Sequence, residues 1–162
     1  MSGSRKLLIL GGVLLAALGM LYGLHYAVFV EHQTLEGMGG SLAQGFVHAA
    51  QRHTPEAQAA INTYGHIKYD YVRQVDIHSH WIGLAMLMIV LGVIFDGVGF
   101  SERMRWWIAL ALLVGSVTFP LGVILQTVSH GGFIPSAMAI VGSGLVIVAL
   151  SSVALGFARQ TA

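Results

Sequence analysis

Four long apolar stretches decide what this chain can fold into. They run Leu7–Val30, Trp81–Phe100, Trp106–Val128 and Phe133–Phe157, within a sequence of 162 residues. A bilayer core about 30 Å thick needs roughly 20 apolar residues in helical form, and each stretch meets that length. In lipid a lone segment must satisfy its own backbone hydrogen bonds, so each is read as a helix. The composition agrees, at 56% hydrophobic and 9% charged residues. The expected fold is therefore all-α: a single integral membrane domain over 1–162, built as a four-helix up-down-up-down bundle. The short connections after the second and third spans make their neighbours antiparallel.

The basic residues orient this bundle. Arg5 and Lys6 precede the first span, Arg103 and Arg105 lie between the second and third, and Arg159 follows the fourth. The positive-inside rule puts these short segments, and with them both termini, on the cytoplasmic side of what is expected to be a bacterial inner membrane. Arg5 and Lys6 before an apolar run also suit a signal peptide. The run is longer than a usual signal core and no small-x-small site follows, so an uncleaved anchor is expected. Trp106 and Trp107 at the inner boundary and Trp81 at the outer one suit an aromatic belt.

Between the first two spans, residues 31–80 are too polar for lipid and are expected as a small helical extracytoplasmic insertion. Ser41–Arg52 presents Leu42, Phe46, Ala49 and Ala50 on one helical face, with Gly37, Gly39 and Gly40 as a flexible approach. Thr54-Pro55-Glu56 reads as a helix start, since threonine caps, proline fits the first position and glutamate suits the dipole. From there Ile61, Tyr64, Ile67, Tyr71 and Val75 recur at helical spacing, so this helix can run directly into the second span. Gly12, Ala16, Gly19 and Gly23 follow one another at three- or four-residue steps, a spacing that permits close helix approach and is also common in membrane helices at large. Pro120 is expected to kink the third span.

The chemistry-bearing residues are eight histidines, His25, His32, His48, His53, His66, His78, His80 and His130, all on the expected outer side. The chain has no cysteine, which excludes thiolate zinc sites, all-cysteine iron–sulfur clusters and covalent c-type haem. His25 near the end of span one, His78 and His80 at the start of span two and His130 just after span three fall at similar depth. They are the candidate cofactor or metal ligands, because a histidine in a membrane segment is costly without a partner. His78 and His80 stand about 200° apart on a regular helix, so one faces inward; His80 is expected inward, with His78 held in reserve. Asp76 is placed to orient a ligating imidazole through its other ring nitrogen. His32, His48, His53 and His66 read as solvent-facing residues of the outer segment. Met20, Met86 and Met88 read as packing, and Asp96 as an interfacial charge near Arg103 or Arg105.

The stretch Ile77–Ile94, IHSHWIGLAMLMIVLGVI, resembles the helix-opening His-x-His and Gly- and Leu-rich span of haem-bearing respiratory membrane proteins, including the haem–copper oxidase-like group. The resemblance covers one helix. It implies a b-type haem with His80 or His78 as an axial ligand. Four spans are too few for an oxidase core and no further pair of mid-span histidines is present, so it implies a small haem module or a subunit of a larger complex. The functional expectation is a b-type cytochrome or haem-bearing electron-transfer subunit rather than a stand-alone enzyme. It would meet other membrane subunits, a periplasmic electron carrier or a quinone. Two alternatives stay open: a copper or zinc site using the same imidazoles with Asp76 or Glu31, and a cofactor-free accessory or assembly subunit. With a net charge of +1 no nucleic-acid partner is expected.

Overall fold

A computed structural model describes residues 1–129 and 132–159. These form five α-helices and no sheet: α1 (Gly3–Phe29), α2 (Glu31–Ala50), α3 (Thr54–Ile94), α4 (Glu102–Ser129) and α5 (Phe133–Ala158). α1, α3, α4 and α5 are each long and apolar enough to cross a membrane. The protein is thus an all-α membrane protein with four candidate spans. Its contacts divide into two compact units, residues 1–20 with 77–162 and residues 21–76.

In the larger unit the helices meet through glycine. A Cβ built on Gly12 would lie 2.8 Å from Ile89 Cγ1 and 2.9 Å from the Ala85 carbonyl oxygen. Gly19 faces Trp81 and Ile82, and Ile9 faces Gly92. Rising numbers on α1 thus meet falling numbers on α3, so the two run antiparallel. α4 and α5 do the same, with Gly115 against Gly142, Leu145 and Val146, and Gly122 against Ala139 and Pro135. Close backbone approach is the main packing device in lipid, where apolar side chains gain nothing by leaving an apolar solvent. The small residues expected along α1 therefore have a packing role at Gly12 and Gly19. Leu8, Met88, Phe95 and Leu112 fill the spaces between.

At one end of this unit polar groups tie three helix ends together. Glu102, opening α4, accepts from the Ser4 backbone N–H at 3.0 Å and the Ser4 hydroxyl at 3.2 Å. Asp96 accepts from the Ser2 hydroxyl and pairs with Arg5 at 3.3 Å. Arg105 donates to the Asp96 carbonyl at 2.8 Å and pairs with Glu102 at 3.0 Å. Asp96 thus stands beside Arg105, as expected, with Arg5 as a second cation. The Gly99 N–H donates to the Gly156 carbonyl, bringing the end of α5 to the same place.

Several expectations are corrected. The second span does not stay helical to Phe100: α3 ends at Ile94, and Phe95–Gly97 make a 3-10 turn followed by extended backbone at Val98. Asp-Gly and a second glycine at 99 favour turn over helix, and this outweighs the apolar character of Val98 and Phe100. α2 begins at Glu31, ten residues before the expected start at Ser41, so Gly37, Gly39 and Gly40 lie inside a helix. Its buried positions are Ser41 and Gly45, while Phe46 is 68% exposed. A Cβ on Gly45 would sit 3.1 Å from Ile61 Cδ1, so small residues let α3 approach where Phe46 was expected to pack. Trp81 is buried against Gly19, whereas Trp106 and Trp107 are exposed in an edge-on pair.

The expected helix start at Thr54 and the unbroken run into span two are both present. At 41 residues α3 is about 60 Å long, roughly twice a bilayer core. Pro120 is accommodated inside α4 without ending it.

Candidate functional site

His78 and His80 fall on opposite sides of α3, as a two-residue step on a helix requires. The expected order is reversed. His78 is the half-buried one, and its Nδ1 lies 2.9 Å from the Gly19 carbonyl oxygen of α1. A carbonyl only accepts, so Nδ1 is the donor in this contact and Nε2 is the nitrogen left for another partner. That is the arrangement in which a backbone carbonyl fixes the tautomer of a ligating imidazole. The Gly19 carbonyl thus holds the His78 ring in a fixed orientation. It does so because a residue without a side chain lets the imidazole reach main-chain oxygen.

His80 is exposed and sits edge-on to Phe119 of α4, with ring centroids 4.7 Å apart. It opens a groove of about 370 Å³ lined by Ser79, His80, Gly83, Leu84 and Leu87. Positions 80, 83, 84 and 87 form one helical face, so the groove is a property of α3 itself. No atom lies within 4 Å of where a Gly83 Cβ would be, leaving an open notch one turn below the imidazole. Two leucines supply apolar walls. The result is one nitrogen donor at the head of a shallow, open apolar groove.

Comparison with known proteins found no family model, no curated protein and no solved structure that matches this chain. The site therefore stands on its own chemistry.

The remaining candidates are His25, Asp76 and His130. His25 is exposed on α1 and tilts against Phe29 one turn later, with centroids 5.5 Å apart. It belongs to the unit formed by residues 21–76, whereas His78 and His80 belong to the other. Asp76 is half-buried on α3. His130 lies outside the described residues. Among the described residues no group of three or more histidine, aspartate or glutamate side chains comes together to hold a metal ion.

Two contributors were not read from the sequence. Gly83 was legible in principle, since His-x-x-Gly puts both residues on one helical face. Phe119 was not, because it reaches His80 from another helix and nothing in its local sequence marks it.

Proposed function

We propose that this chain is a membrane-bound b-type cytochrome or the haem-bearing subunit of a respiratory electron-transfer complex, with His80 as an axial imidazole. The observation that carries the proposal is the groove headed by His80, with its glycine notch and leucine walls. The donor set fits haem: imidazole nitrogen is a usual axial ligand, and a flat apolar macrocycle needs an apolar slot free of side chains. Bound there, haem would supply one-electron transfer. Leu84 and Leu87 would exclude water from its face, and Phe119 restricts rotation of the imidazole. His78, with Nδ1 committed to Gly19, offers Nε2 as the second candidate donor, followed by His25 and His130. Copper or zinc remains the alternative occupant for the same imidazoles.

The reading includes the up-down-up-down bundle crossing the bacterial inner membrane with cytoplasmic termini. It places residues 31–76 outside the bilayer, available to a periplasmic carrier or a neighbouring membrane subunit, with quinone as a lipid-soluble partner.

A reduced-minus-oxidised optical spectrum of the purified chain tests the proposal. Wild type should show b-type bands and His80→Ala should lose or shift them, whereas a colourless wild type would end this reading.

One observation favours a second reading, a cofactor-free accessory or assembly subunit. In the unit of residues 21–76 the buried side chains are few, Tyr26, Ser41 and Ala60 beside Gly45. Leu35, Phe46, Val47 and Val72 are exposed there. Two helices and the end of a third leave this unit without a closed core, so it suits a covering partner. A colourless protein that is stable only when co-expressed with a larger membrane complex would support it.

A further inference from the structure

The connection between α2 and α3, within the unit of residues 21–76, places two imidazoles side by side. Arg52 has φ of 61°, the left-handed conformation. Its N–H donates to the Ala49 carbonyl at 3.0 Å, and the N–H of His53 donates to the His48 carbonyl at 2.8 Å. These two bonds make a Schellman ending of α2, in which the residue three before the cap meets the residue just past the left-handed one. Most proteins put an apolar pair at those two places. Here they are His48 and His53, with ring centroids 6.3 Å apart and planes 35° apart. Nδ1 of His48 is buried without a hydrogen-bond partner, and the residue as a whole is half-buried. His53 is exposed.

We infer that His48 and His53 form a two-imidazole chelate for a late divalent transition-metal ion, Cu(II) above all, at the α2–α3 turn. With a metal–nitrogen bond of about 2.0 Å, each ring centroid stands about 3.2 Å from the ion, so two rings on one ion have centroids about 4.5 Å apart when cis and about 6.4 Å apart when trans. The observed separation lies at the open end of that range, and small side-chain rotations close it. Imidazole suits Cu(II) and Zn(II), and Cu(II) binds a given nitrogen site more tightly. Water would complete the coordination, since no third histidine or carboxylate joins the pair among the described residues. The chelate depends on the turn as much as on the imidazoles, because five residues of helix would set the two rings on different faces.

Titration of the full chain in detergent micelles with Cu(II) chloride, followed by electron paramagnetic resonance, tests this. Wild type should bind one more tight equivalent than His48→Ala/His53→Ala, with a signal showing two coordinated imidazoles. Each single substitution should lose that equivalent as completely as the double one. Arg52→Gly, which suits the left-handed position, should keep it. Arg52→Pro, which retains both imidazoles but cannot adopt that φ, should lose it while circular dichroism stays helical. His32→Ala, an exposed histidine beside Glu36, should change nothing. Equal copper binding by wild type and the double variant would overturn the inference, as would single variants that each lose only half of the signal.

Discussion

Replacing Gly122 by alanine should loosen the α4–α5 contact, and the size of the effect follows from what the new methyl group meets. Its Cβ would lie 2.5 Å from the Ala139 backbone nitrogen, 2.9 Å from the Pro135 carbonyl oxygen and 3.0 Å from the Ala139 Cα. All three are main-chain atoms, so no side chain can rotate away. Comfortable contact needs about 3.5–4.0 Å, so the helices must part by about 1 Å. That separation also slackens the Gly115 and Gly142 contacts on the same seam. Overpacking of this kind costs about 1–3 kcal/mol. Against it stands the better helix propensity of alanine, worth about 1 kcal/mol over glycine in solvent-exposed helices. The control is Gly144→Ala on α5, where nothing lies within 4 Å of the new Cβ and only the propensity gain applies. The two variants should therefore differ by about 1–3 kcal/mol, or roughly 5- to 150-fold in the unfolding equilibrium constant. Unfolding of the purified protein from mild detergent into increasing fractions of sodium dodecyl sulfate, followed by circular dichroism, measures the difference. Equal stability of the two variants would refute the claim that backbone contact through glycine holds this pair.

Other consequences can be checked as directly. Ser116 is fully buried in α4 and its hydroxyl has no hydrogen-bond partner, so Ser116→Ala should leave stability unchanged or raise it by about 1 kcal/mol in the same assay. Glu102→Ala removes the acceptor of the Ser4 N–H, so hydrogen exchange at residues 3–6 should speed up while the middle of α1 stays protected. His78→Phe keeps an aromatic ring but cannot donate to the Gly19 carbonyl, and should destabilise by about 1 kcal/mol, whereas loss of haem bands without loss of stability would make His78 a ligand and not a brace. The chain has no cysteine of its own, so Gln58→Cys and Arg103→Cys permit sided labelling. In intact cells with a permeable outer membrane, an impermeant maleimide should reach position 58 and not position 103, and the reverse would invert the proposed orientation.

The sequence by itself determined the helices that can span a membrane, because bilayer thickness converts directly into a count of apolar residues. It also determined the start of α3 at Thr54 and its unbroken continuation into the second span, since helix-start signals and 3.6-residue spacing are local. The same locality failed where glycines and long-range contacts compete. Gly37, Gly39 and Gly40 looked like a break and are helical; a Cβ built on Gly37 would lie 3.3 Å from Ile67 Cδ1, so the neighbouring helix favours a small residue there, whereas Gly39 and Gly40 face open space. The end of α3 was misplaced for the opposite reason, as apolar Val98 and Phe100 concealed a turn that Asp96 and Gly97 impose.

The candidate site divides in the same way. That His78 and His80 must face opposite ways was legible from helix geometry. Which of them faces which neighbour was not, because that depends on the rotation of α3 against α1 and α4. Only the tertiary structure set Gly19 opposite His78 and Phe119 opposite His80. That rotation is fixed by where a glycine lets one backbone approach another, and the glycine and its contact lie tens of residues apart in the chain.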